Sequence, residues 1–164
     1  MSLEKTVKIL SDIEDQKAHN QLFYFDPYPY QKQFHKALDM QGNPAQQRLL
    51  MAANKVGKTV AGAYETAIHL TGEYPDWWDG HRFERPVKVW CAGMTTSNTR
   101  DIVQAELLGE PGDPEDWGKG FIPKDRILST ERMPGIPNAI GSVTIKHITG
   151  RNSRLWFKSY EQGK

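Results

Sequence analysis

Apolar runs that alternate with helical patterns predict an α/β fold, a mostly parallel sheet with helices packed on both faces. Three observations carry this. Arg48 to Ala53 reads as a short buried strand that turns through Gly57-Lys58-Thr59 into a helix from Thr59 to Leu70. Val87 to Gly93 repeats the order strand, polar turn, helix. Ser142 to Ile148 and Arg154 to Phe157 then alternate apolar and polar residues about a turn, the pattern of a late β-hairpin. At 164 residues the chain fits about one domain with a real core.

The elements follow in order. Leu3, Val7, Leu10 and Ile13 recur at helical spacing among charged residues, so residues 1–24 read as an amphipathic helix or arm that covers a core or a partner. Residues 25–164 read as the domain. The prolines of FYFDPYPY (23–30) break the first helix, and Pro29 suits the first turn of a second, which runs to about Met40 and ends at Gly42 and Pro44. Residues 71–85 form a loop dense in Gly, Pro, Asp and aromatics, anchored by the packing of Trp77 and Trp78. Pro86 introduces the second strand, and Thr95-Thr96-Ser97-Asn98 caps a helix from Thr99 to Leu108. Gly109 to Asn138 is rich in Gly and Pro and reads as irregular, with one brief element around Lys124 to Leu128.

Residues Asn54, Lys55, Val56, Gly57, Lys58 and Thr59 carry the outline of a phosphate-binding loop. Backbone N–H groups at a strand-to-helix turn surround an anion, and the opening helix end adds partial positive charge. In that pattern Lys58 reaches the β- and γ-phosphates of ATP and the Thr59 hydroxyl coordinates Mg²⁺. Ala52 stands where the motif has its first glycine, so the bland alternative is an ordinary helix start with a solvated lysine. The strand before and the helix after favour the phosphate reading. Lys55 is a second cation in the loop, able to act as a point charge on the γ-phosphate or transition state, or simply to face solvent. Upstream, the Gln31 amide offers a coplanar donor and acceptor that match N6 and N7 of adenine, while Tyr30 can stack on the base. The rival reading leaves Gln31 and Gln33 as solvated positions on a helix whose apolar face is Phe34, Ala37 and Leu38. Arg151 and Arg154, with Lys146, His147 and Lys158, make a basic hairpin that suits the phosphates of DNA or plain solvent.

Composition narrows the rest. A net charge of +1 with 25% charged residues gives no global basic field, so nucleic-acid contact needs a local patch. The lone Cys91 lies in an apolar run and reads as a buried, inert thiol. No signal peptide or membrane-spanning run is evident, which predicts a soluble, intracellular protein, and the five histidines lack metal-ligand spacing. A P-loop ATPase also needs a strand ending in an acidic pair. No apolar run here ends in Asp-Asp or Asp-Glu, so either the chain stops before that strand or it does not hydrolyse ATP.

The ordered set PYQKQF, AANKVGKT, VKVWCAGMTTSNTRDIVQAELLG and GFIPKDRI through SVTIKHITGRNSRLWFKSYEQG resembles the ATPase domain of the large terminase subunit of tailed bacteriophages. The resemblance covers most of the chain from about Tyr28 onward. It implies a three-layer P-loop NTPase of the additional-strand, RecA-like type, here truncated just before the acidic Walker B strand. It further implies a motor that couples ATP hydrolysis to translocation of double-stranded DNA into proheads, with the RNase H-like nuclease part absent from this chain. Implied partners are the portal protein, the small terminase subunit and other copies in a homo-oligomeric ring, in the host cytoplasm and away from membrane. Lys58 and Thr59 become the phosphate and Mg²⁺ residues and Gln31 the adenine reader. Many relatives place an arginine at the third loop position, where this chain has Asn54. The alternatives are a helicase-like P-loop translocase, or a non-catalytic, prophage-derived interaction module.

Overall fold

The computed structural model describes residues 3–163. Its centre is helix α4, Lys58–Thr71, whose buried positions include Ala61, Tyr64, Ile68 and Thr71 at the i, i+3, i+7 spacing of one helical face. Ala63, Ala67 and Leu70 widen that face, and the small alanines let the helix lie close on the sheet. Beneath it are Val143, Ile145, Leu155 and Phe157, all essentially without solvent exposure. Burial of such side chains contributes roughly 1.5–3 kcal/mol each.

The sheet is built from β1 (Lys88–Gly93), β2 (Ile127–Arg132), β3 (Ile140–Lys146) and β4 (Asn152–Ser159). Their order is β1-β4-β3-β2. This corrects the expectation of a mostly parallel sheet: β1 and β4 run parallel, whereas β4 with β3 and β3 with β2 are antiparallel. The physical cause is the tight turn between β3 and β4, which can only return the chain antiparallel. The hairpin expected from alternation is therefore present, and its second strand docks beside β1. β2 falls in the stretch expected to be irregular and pairs along the outer side of β3.

The strand expected at Arg48 to Ala53 does not form. No strand lies alongside it among the described residues, and Leu49 and Met51 are 80% and 82% exposed. An apolar run becomes a strand only where a neighbour completes its ladder. Nor are both sheet faces covered: α4 packs on one, while Lys88, Trp90, Ala92 and Lys158 lie exposed on the other. The second helix is also shorter than expected. α3 is Pro29–His35, because the Arg48 guanidinium takes the Phe34 and His35 carbonyls at 3.1 Å, and Asp39 Oδ1 accepts the Gln41 and Asn43 amides.

Other expectations hold. α1, Leu3–His19, forms at the N-terminus, but it buries no residue, so its apolar stripe is not packed on the domain. α2, Gln21–Tyr24, ends where the prolines begin. Trp78 is buried in the core and Trp77 stacks on Tyr64 at 5.6 Å. After β1, the Thr95 hydroxyl caps the next helical stretch by accepting from the Asn98 amide at 3.0 Å. That stretch comprises α5 (Thr96–Asn98), a π-helical segment (Thr99–Gln104) and α6 (Ala105–Leu108). Cys91 is largely buried, which pushes its thiol up to about 11 and keeps it unreactive.

Two contacts fasten the ends of α4. At its C-terminus Gly72 takes the left-handed conformation (φ 78°) and donates to the Ile68 carbonyl at 2.8 Å. The hairpin turn packs there: the Ile148 amide donates to the Thr71 carbonyl at 2.8 Å, and a Cβ at position 72 would stand 2.5 Å from His147 Nε2. Nearer the N-terminus, Glu65 accepts hydrogen bonds from His35 Nδ1 at 2.9 Å, from His69 Nε2 at 3.3 Å and from the Arg48 guanidinium. This ties α3, α4 and the segment leading into the loop to one carboxylate.

Burial alone would push the Glu65 carboxyl up, but the hydrogen bonds from His35, His69 and Arg48, with the charge of Arg48, outweigh it and hold the carboxyl well below its usual range. A depressed carboxyl contributes stability above its unfolded pKa and loses that contribution as pH falls toward the folded value. Glu65→Gln should therefore flatten the decline in stability on acidification below the ordinary carboxylate range. Glu65→Ala should cost about 1–3 kcal/mol at neutral pH, because it leaves the buried His35 Nδ1 without its acceptor. Urea titrations across pH check both.

Candidate nucleotide site

Residue 57 is where the loop becomes a helix. Gly57 sits in the left-handed region (φ 76°) and serves as the N-cap of α4 without a side-chain cap. A left-handed residue directs successive N–H groups to one side, which is how a turn makes a concavity for an anion. Lys55 also has positive φ, 61°, a conformation that side-chain-bearing residues adopt rarely. Among the described residues, no protein acceptor of ordinary hydrogen-bond geometry meets the amides of Lys55, Gly57, Lys58 or Thr59. The donors that a helix start leaves without intrahelical partners are thus free for a ligand.

Two side chains of α3 hold the loop. Gln31 Nε2 donates to the Gly57 carbonyl at 3.0 Å, and the Tyr30 hydroxyl donates to the Val56 carbonyl. Gln31 Oε1 accepts the Tyr28 amide at 2.8 Å, and the residue is 1% exposed. Its amide therefore bonds to protein at both ends, which suits bracing of the loop better than reading a base. The fit is close: a Cβ at Gly57 would lie 2.9 Å from Gln31 Nε2. Lys58 Nζ folds back onto the Ala52 and Ala53 carbonyls at 2.9 and 2.6 Å, which closes the loop on itself.

In front of the loop lies an open cleft of about 790 Å³, lined by Tyr28, Tyr30, Glu106 and residues 54–60. The structure thus brings together Asn54, Lys55, Val56, Gly57, Lys58, Thr59 and Tyr30 from the sequence-derived set. It separates Arg151 and Arg154 from them. Arg151 is exposed in the hairpin turn, whereas Arg154 lies along the sheet, bonded to Glu131 at 2.7 Å and set 5.1 Å over the Trp156 ring.

Two cleft residues escaped sequence reasoning. Tyr28 stacks on Tyr30 with ring centroids 5.8 Å apart and planes within 10°, and both rings are exposed enough to receive a flat ligand. The aromatic run before Pro29 was the available signal. Glu106, on α6, is the only carboxylate of that lining, and burial raises its pKa. Nothing local in the sequence marks it, because its place depends on how α6 packs against α4.

The arrangement can bind a polyanion next to a flat ring. Thr59 is exposed beside the unbonded amides, so its hydroxyl would be the group to hold a Mg²⁺ ion, which would supply positive charge to a bound phosphate. Among the described residues, no cluster of three or more His, Cys, Asp or Glu side chains is placed to hold a metal by itself. No described helix is long and apolar enough to cross a membrane.

Fold and cleft define an α/β domain with an anion-ready helix start on a braced loop. Residues 49–164 match the family described as terminase large subunit, T4likevirus-type, N-terminal, and the chain belongs to the terminase large-subunit family. It is also 32% identical, over 184 aligned residues, to the terminase large subunit of Salmonella phage P22. That alignment covers 100% of this chain and 36% of the relative, so the chain spans well under half the relative's length. No solved structure matches it.

Replacing Gln31 by Ala should cost about 1–3 kcal/mol, since it removes a buried amide that bonds both the Tyr28 amide and the Gly57 carbonyl. Equilibrium denaturation measures this, and a change under about 0.5 kcal/mol, as for an ordinary surface position, would deny the bracing role.

Proposed function

We propose that this chain is the ATP-binding part of a viral DNA-packaging motor, which couples ATP hydrolysis to translocation of duplex DNA into a prohead. The observation that carries the reading is the left-handed turn at Gly57, with unbonded amides on a helix start and Lys58 at its edge. Family membership sets its context.

In this reading the backbone from Asn54 to Thr59 cradles the phosphates, and Lys58 leaves the Ala52 and Ala53 carbonyls for the β- and γ-phosphates. Thr59 ligates Mg²⁺, which supplies charge neutralisation at the transferred phosphoryl group. Lys55, exposed at the tip, is placed to meet charge that develops on the γ-phosphate. Tyr28 and Tyr30 form the wall for the base, with Gln31 holding the loop. None of the four strands carries a terminal acidic pair, and Glu131 in β2 lies away from the cleft, so the Walker B carboxylate is proposed to come from a part of the motor outside this chain. The further proposals are those of the family: a homo-oligomeric ring at the portal in the host cytoplasm, with the small subunit and portal protein as partners. The unburied stripe of α1 offers a surface for one of them.

Thermal unfolding with and without Mg·ATP tests the site. A ligand at ten times its Kd should raise the melting temperature by about 3–6 °C. Lys58→Ala should remove the shift, measured against that variant's own ligand-free melting temperature. Steady-state hydrolysis by the isolated chain should be slow. No shift at saturating Mg·ATP would refute nucleotide binding, and rapid hydrolysis abolished by Lys58→Ala would refute the missing carboxylate.

A further inference from the structure

Glu106 lines the proposed nucleotide cleft, and nothing in the loop chemistry gives it a task. Its main chain is fixed. Leu107 and Leu108 beside it are without solvent exposure, and the segment that follows grips α6. The Phe121, Ile122 and Gly118 amides donate to the Glu106, Leu107 and Leu108 carbonyls at 2.9, 2.9 and 2.8 Å. A Cβ at Gly120 would collide with the Leu107 carbonyl carbon, so the grip leaves no slack. The side chain that projects from this anchored turn is half-buried.

Among the described residues the Glu106 carboxylate has no ion pair and no side-chain hydrogen bond. The neighbouring acids do have partners: Asp101 pairs with Arg100 at 2.6 Å and Asp116 with Lys119 at 2.5 Å. Lys58, in the same cleft, is turned onto the Ala52 and Ala53 carbonyls instead. Burial pushes the Glu106 carboxyl up, and no neighbouring charge or hydrogen bond offsets it. A half-buried acceptor left in this way is costly unless something else donates to it.

The cleft lining has three parts, and so does ATP. Residues 54–60 supply amides and lysines, which suit the triphosphate, and Tyr28 and Tyr30 supply rings, which suit the base. Glu106 is the lining residue that remains, and an ionised carboxylate offers acceptors alone. It repels phosphate and needs donors. The sugar that joins base to phosphates carries two, its 2′- and 3′-hydroxyls, and a carboxylate on a ribose hydroxyl recurs in nucleotide sites.

We infer that Glu106 receives the ribose hydroxyls of the nucleotide and makes the cleft selective for ribonucleotides over their 2′,3′-dideoxy analogues. The inference rests on the nucleotide reading proposed above and adds to it the identity of the sugar.

Calorimetric titration of the whole chain with Mg·ATP and with the Mg complex of 2′,3′-dideoxy-ATP tests it, because the two ligands share base, charge and metal. ATP should bind about tenfold or more tightly. Glu106→Ala should bring that ratio close to one by weakening ATP alone. Glu106→Gln, whose amide oxygen still accepts, should keep part of the preference. Equal affinity of the wild-type chain for the two nucleotides would overturn the ribose contact and leave nucleotide binding intact. So would a preference that survives Glu106→Ala. Equal loss of both ligands in that variant would also overturn it, since the carboxylate would then serve the metal or the base. Binding of neither nucleotide by the wild-type chain would refute the nucleotide reading itself, and the ribose contact with it.

Discussion

Helix α4 must satisfy opposite demands at its two ends. Its C-terminal half is packed among Ile145, Leu155 and Phe157 and closed by Gly72 and the hairpin turn, whereas its first turn leaves its N–H groups unbonded. A helix start left open is unfavourable unless something else fixes the chain leading into it. Here Gln31 and Tyr30 do so by bonding the Gly57 and Val56 carbonyls. The donors stay free because the acceptors are held.

Glu65 extends this constraint to the rest of the domain. Through His35 and Arg48 it fixes the end of α3 and the entry to the loop, while its own helix position is set by the core. A displacement of the loop therefore has to move α3 or break the Glu65 network. In the proposed nucleotide site such a scaffold would hold the loop in place before a ligand arrives, which lowers the cost of binding.

Local pattern made much of this legible in the sequence. The helical period from Lys58, the alternation about residues 149–153 and the polar cap before α5 all depend on neighbours a few positions away, and each appears in the structure close to its expected place. The failures share one cause. Residues 48–53 look like a buried strand but have no partner strand beside them, β2 exists because β3 offers an edge, and the run of β4 beside β1 rather than away from it is a long-range choice. At the candidate site, the Gly-Lys-Thr pattern marked the turn at Gly57 that opens α4. The role of Gln31 was not, since only the fold shows that both ends of its amide are already bonded. Glu106 needed the packing of α6 to become visible at all.

The central claim is that the unbonded amides between Asn54 and Thr59 receive a triphosphate. Hydrogen–deuterium exchange of the chain with and without Mg·ATP addresses it at the level of those amides. Protection that appears in peptides spanning residues 54–59, and that is lost in Lys58→Ala, is the expected result. Exchange in that segment unaltered by saturating Mg·ATP, with protection arising elsewhere or nowhere, would contradict it.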